Sequence, residues 1–151
     1  MYSAILIAHS WLRYPVLVAG IALLALALGA CLGRRTAAPK IERAHLIFLS
    51  LLDSQMTLGL LLYFWLSPLT AAAMVDLAAT MKEPELRFFG IEHISTMVIA
   101  VTAAHLGRAR AKRVPTEARG KIVLLAQLVW LFLTLLAIPW PEFYITRPLL
   151  R

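Results

Sequence analysis

Apolar residues in this chain gather into four long runs, residues 3–32, 44–66, 88–106 and 122–140, and most of the charge lies in the stretches between them. Each run is close to or above the ~20 residues that an α-helix needs to cross ~30 Å of hydrocarbon. Strands of a membrane barrel would alternate in polarity over short segments. These runs are continuous and rich in Leu and Ala, which favours helices, whose backbone groups are all satisfied internally. The pattern therefore predicts an all-α fold, one transmembrane four-helix bundle over residues 1–151. The 67–87 connection is the long one. Its Ala-rich 70–81 segment, with Pro68 and Pro84 on either side, predicts a short interfacial helix.

Composition agrees with the pattern. Hydrophobic residues make up 61% of the chain and charged residues 15%, and the mean hydropathy is +0.79, far from the balance of a soluble domain. The net charge of +7 comes from clusters at the ends of the runs, so it is a topology signal and not a nucleic-acid footprint. Arg34, Arg35, Lys40 and Arg43 sit between the first two runs. Arg108, Arg110, Lys112, Arg113, Arg119 and Lys121 sit between the last two. Both loops are expected in the cytoplasm and both termini outside, as for a multi-pass protein of a bacterial cytoplasmic membrane. Trp65, Trp140 and Tyr144 then fall at the outer interface. The first run is too long for the apolar core of a secretory signal and lacks its basic start and cleavage site, so it is expected to remain as a span. Cys31, the single cysteine, excludes an internal disulfide and a cysteine-cluster metal site.

Ionisable groups inside apolar runs are the candidates for chemistry, because in lipid they face a bundle interior, a cofactor or a proton path. Glu92 and His93 stand together in the opening turns of the third run, His9 in the first and Asp53 in the middle of the second. Counted inward from the outer helix ends at 1.5 Å per residue, His9 and His93 reach the same depth, about 9 Å. They are candidate axial ligands of one haem. Arg13 and Pro15 interrupt the first run, and Tyr14 to Leu32 alone nearly suffices to cross, which would leave His9 and Arg13 at headgroup level. His45 and His105 share a height near the cytoplasmic face, so a second pair is conceivable. However, His93 and His105 are twelve residues apart and about 120° apart around their helix, and interfacial hydrogen bonding explains the inner pair better.

The plain alternative for the outer pair is a structural bond across the bundle, such as His93 to Asp53 or Arg13 to Glu92. Gln55, Gly59 and Tyr63 recur every four residues and define an inward face on which a glycine admits a close neighbour. Asp53 is a candidate proton-relay group with Glu92. Gln127 and Thr134, seven apart, are expected to cross-link helices. Met56 and Met97 fit gap-filling better than metal ligation. Ser10, Ser54 and Ser95 have no nucleophile–base arrangement around them.

Five segments occur in order: His9-Ser10-Trp11-Leu12-Arg13-Tyr14, Gln55 through Gly59 to Leu62-Tyr63, Leu86-Arg87-Phe88-Phe89-Gly90-Ile91-Glu92-His93, Gly107-Arg108, and Ala137-Ile138-Pro139-Trp140-Pro141. Together they resemble a family of small four-span bacterial membrane proteins often labelled cytochrome b-like. The resemblance covers nearly the whole chain and points to His9 and His93. Many relatives carry a further histidine where this chain has Asp53. It implies a membrane-embedded b-type haem protein of electron transfer, alone or in a larger respiratory or photosynthetic complex. His9 and His93 would hold the iron, Arg13 and Arg87 would balance propionates, and Gln55 and Gly59 would pack the macrocycle. The alternatives are a cofactor-free accessory subunit and proton or metal-ion transfer through Asp53, Glu92 and the histidines.

Overall fold

The computed structural model describes residues 1–33 and 38–140. Arg34, Arg35, Pro141 and Tyr144 lie outside the described residues. Four helical segments among those described are long and apolar enough to cross a membrane. They are α1 (Tyr2–Cys31), α2 (Ala38–Leu61) continued by a π turn (Leu62–Leu66), α6 (His93–Ala111) preceded by a π turn (Phe88–Glu92), and α7 (Thr116–Ala137). Between the spans lie the short helices α3 (Pro68–Val75), α4 (Leu77–Lys82) and α5 (Pro84–Arg87).

The helices outrun the apolar runs at the basic end. There α2 begins at Ala38 and α7 at Thr116, several residues before the hydrophobic stretches, because charged residues near a membrane surface still have water for their side chains. At the other end α7 stops at Ala137, where Ile138 turns extended (ψ 129°) ahead of Pro139. Pro15 does not break α1, which runs through it as one 30-residue helix. The 67–87 connection is helical as expected but is not one helix. Asp76 adopts an extended backbone and its carboxylate accepts the Ala79 amide at 3.0 Å, which ends α3 and starts α4. The three short helices form a cap over one end of the bundle. Thr70 Oγ1 donates to the Tyr63 carbonyl and Thr80 Oγ1 to the Ala73 carbonyl, both at 2.8 Å.

Around the bundle the order is α1, α2, α6, α7, each packed on its neighbours, with the α2–α6 seam the most sparsely packed. Trp130 of α7 sits at the centre, edge to face with Phe48 of α2 at 4.6 Å, and Leu23, Ala27, Leu52, Ala100, Ala104 and Val123 complete the buried core. Small residues make this approach possible, as is usual between helices in lipid. A Cβ on Gly20 would run into the Trp130 ring, and one on Gly107 would run into Ala126. Outward, Val18, Ile21, Ile47, Ile99, Leu125 and Phe132 are exposed, a surface suited to acyl chains. Trp65 and Trp140 are exposed at the cap end.

Gly20→Ala is expected to destabilise the bundle by about 1–3 kcal/mol through overpacking against Trp130. The lipid-facing Ile21→Ala should stay within about 0.5 kcal/mol. Thermal unfolding of the two variants in detergent would separate them.

Candidate functional site

A cavity of about 160 Å³ lies beneath the cap, bounded by α1, α2, α6 and α7. Its polar lining includes His9, Arg13, Gln55, Tyr63, His93 and Thr134. His9 and His93 come from different helices and meet there with ring centroids 6.3 Å apart and planes 75° apart. Two imidazoles on opposite sides of one metal, each with a metal–nitrogen bond of about 2 Å and its ring centre about 1 Å further on, would have centroids about 6 Å apart. The equal depth read from residue counting is thus realised in space, and His9 belongs to the interior.

Each ring is fixed by a main-chain carbonyl. His93 Nδ1 donates to the Ala137 carbonyl at 2.8 Å. That oxygen is available because α7 ends at Ala137, and the last carbonyls of a helix have no partner within it. His9 Nδ1 donates to the Gln55 carbonyl at 3.2 Å. This oxygen lies mid-helix and is reachable because Gly59, one turn on, has no side chain to cover it. A Cβ at Gly59 would come 3.0 Å from His9 Cε1. With both protons on Nδ1, both lone pairs are on Nε2, the arrangement that a backbone carbonyl imposes on metal-bound histidine. Gln55 adds a second hold, its amide donating to the His9 carbonyl at 2.9 Å and touching His9 Nε2 at 3.4 Å.

The two π turns flank this centre. In the second, His93 N–H reaches back five residues to the Phe88 carbonyl. The Gly90 carbonyl receives Tyr63 Oη at 2.8 Å from the first. One wide turn thus lends a side chain to the other, joining α2 to α6 next to His93. Wide turns of this kind recur at functional sites.

Other expected residues lie elsewhere. Glu92 pairs with Arg87 Nε at 2.8 Å and not with Arg13, and Arg87 Nη1 also donates to the Met81 carbonyl at 3.2 Å. The pair anchors the cap, and neither residue lines the cavity. Arg13 does line it, alongside Tyr14. Asp53 does not reach His93. It bonds His105 Nε2 at 2.8 Å on the α2–α6 seam, where the two side chains are 52% and 47% exposed. The inner histidines therefore form no facing pair, since His105 is turned to Asp53 and His45 to the Phe48 ring at 6.5 Å. The α2–α6 seam is closed further down by Glu42, which pairs with Arg108 and lies 3.9 Å from Lys112. Gln127 and Thr134 are buried but do not form the cross-links between helices expected of them, since neither side chain has a hydrogen-bond partner among the described residues. No group of three or more His, Cys, Asp or Glu gathers to hold a metal among the described residues, so the metal-binding potential of this cavity rests on two imidazoles.

The Ala137 carbonyl and the Tyr63–Gly90 bond were not anticipated. The first had a signal: Pro141 stands four residues after Ala137 and has no N–H to give it. Tyr63→Phe removes the hydrogen bond to the Gly90 carbonyl at the π turn. The expected cost is about 1–2 kcal/mol, with faster amide exchange over 88–93. Denaturation in detergent and hydrogen-exchange mass spectrometry would check both.

No protein-family model, no curated protein and no solved structure matches this chain, so the function has to be argued from the geometry of this cavity.

Proposed function

We propose that the cavity beneath the cap is a b-type haem site. The protein would then serve electron transfer in a bacterial cytoplasmic membrane, alone or as a small subunit of a redox complex. The observation that carries this reading is the pair His9 and His93, 6.3 Å apart with each Nδ1 committed to a main-chain carbonyl. Two imidazoles that line one cavity, each with Nδ1 committed to a carbonyl, would be the residues to hold the iron through Nε2. Held by two histidines, such a group would supply a one-electron couple, which suits electron transfer better than oxygen chemistry. The family resemblance points to the same two histidines.

The chain's own residues have definite parts in this reading. Gly59 keeps the space beside His9 open, and Gln55 steadies α1 against α2 through the His9 carbonyl. Its amide contact to Nε2, at 3.4 Å, is the longer of its two bonds to His9 and would have to be given up for Nε2 to bind a metal. Arg13 is the one permanently charged side chain among the described residues that line the cavity, and it is the residue that would balance a propionate. Arg87, tied to Glu92, is withdrawn from that role. A cavity of about 160 Å³ is on the scale of one benzene. A macrocycle therefore needs the adjoining α2–α6 seam, where packing is thinnest.

The second reading is a cofactor-free accessory subunit. It is favoured by the fact that both nitrogens of His9 already contact Gln55. The experiment is a titration of the purified protein with haemin, followed by a reduced-minus-oxidised spectrum. The expected result is one haem per chain with low-spin b-type bands. His9→Ala and His93→Ala are each expected to abolish those bands, and Gly59→Leu to weaken binding at least about tenfold by driving His9 from its place. A protein with no b-type bands, whose histidine variants only unfold at lower temperature, would establish the accessory reading instead.

A further inference from the structure

A second cavity, of about 630 Å³, opens at the basic end of the bundle between α1, α2, α6 and α7. Its lining is unlike that of the first. Arg108, Lys112 and Arg119 bring three cationic side chains to it, against the carboxylates of Glu42 and Glu117. His45 lines it too, 2% exposed and with no partner for Nε2 among the described residues. Glu42 is already engaged by Arg108 and lies within 4 Å of Lys112. Even so, Arg108 Nη1 is buried without a partner among the described residues. A buried guanidinium N–H is costly unless something supplies an acceptor, and across the same cavity the buried His45 Nε2 is likewise unpaired among the described residues.

The backbone adds to this. The 22-residue helix α7 starts at the cavity, with Thr116 and Glu117 in the lining. Its N-cap is Pro115, which provides no side-chain acceptor for the first amides. The Ala118 amide is taken by the Pro115 carbonyl at 3.0 Å, which leaves the Thr116 and Glu117 amides and the positive end of the dipole at the cavity. Arg119 Nε is held by the Val114 carbonyl at 3.3 Å, which fixes the guanidinium near the same helix start.

We propose that this cavity binds a phosphate group, carried either by an anionic lipid headgroup or by a free phosphate. The donors converge from three sources: the cations of α6 and α7, the first amides of α7, and His45 of α2, whose imidazole can donate to a phosphate oxygen or accept from a hydroxyl. Basic recesses between spans at a membrane surface suit anionic headgroups. This inference is independent of the haem reading, because the two cavities share no lining residue.

The test uses the full chain in phosphatidylcholine nanodiscs, titrated with phosphatidylglycerol or with inorganic phosphate, and bound adducts counted by native mass spectrometry. Phosphatidylglycerol is expected to bind at least about tenfold tighter than added phosphatidylcholine, with Lys112→Gln and Arg119→Gln each weakening it about fivefold. Glu117→Gln removes an opposing charge and is expected to tighten binding by a similar factor, a gain that a damaged fold does not give. Binding of phosphatidylglycerol without inorganic phosphate identifies a headgroup site, and binding of both with similar response to the variants identifies a site for phosphate itself. If neither binds more tightly than phosphatidylcholine, or if the three variants leave binding unchanged, the proposal is overturned.

Discussion

Inside an apolar bilayer a polar side chain has only the rest of the protein to bond, and the arrangement of this bundle follows from that constraint. The two inward imidazoles use main-chain carbonyls that a regular helix would not offer to a side chain: one at the end of α7, the other bared by the glycine one turn beyond it. Tyr63 finds a carbonyl in a π turn, and Thr70 and Thr80 find theirs where helix gives way to cap. Irregularity in the backbone and polarity in the side chains are thus matched place by place. The cap is held by these same bonds, so the cover over the cavity and the positioning of His93 are mechanically one unit.

The polar groups outside the cavity have a different task. The α2–α6 seam lacks the close packing that Gly20 and Gly107 give to the α1–α7 and α6–α7 contacts. Asp53 with His105, and Glu42 with Arg108, close it by hydrogen-bonded charge instead. An interface joined by a few polar pairs can part without emptying a packed core. The seam also adjoins both the Gln55–Gly59–Tyr63 face and His93, which leaves the upper cavity with one wall more easily opened than the others.

The number of spans, the helical class and the shared height of His9 and His93 were readable because each depends on run length and rise per residue alone. The inward face of Gln55, Gly59 and Tyr63 was readable from its four-residue repeat. Membrane depth alone does not settle which way a side chain such as Asp53 faces. Asp53 is two residues from Gln55, hence about 200° around the helix, and cannot share its face. The same arithmetic turns Glu92 about 100° away from His93 and toward Arg87. Which carbonyls would be free was largely hidden, because π turns depend on how the cap docks and not on a local signal in the chain. The lower cavity was hidden for another reason. Its residues were visible only as charges that orient the protein, and nothing in their spacing says that His45 and Arg108 leave nitrogens unpaired in the same wall.

The two cavities divide the bundle's length between different chemistries. The upper one gathers neutral imidazoles, an amide and one arginine under a cap. The lower one gathers three cations, two carboxylates and a helix start. Between them stands the Trp130–Phe48 contact, with Gly20 against the indole. This contact is tightly fitted, since a Cβ on Gly20 would run into the ring. Beside it runs the α2–α6 seam, where Glu42 and Arg108, which border the lower cavity, belong to the same line of pairs as Asp53 and His105. The two cavities are therefore separated by a packed core and joined along one side only by polar pairs, while the imidazoles above stay fixed by carbonyls of α2 and α7.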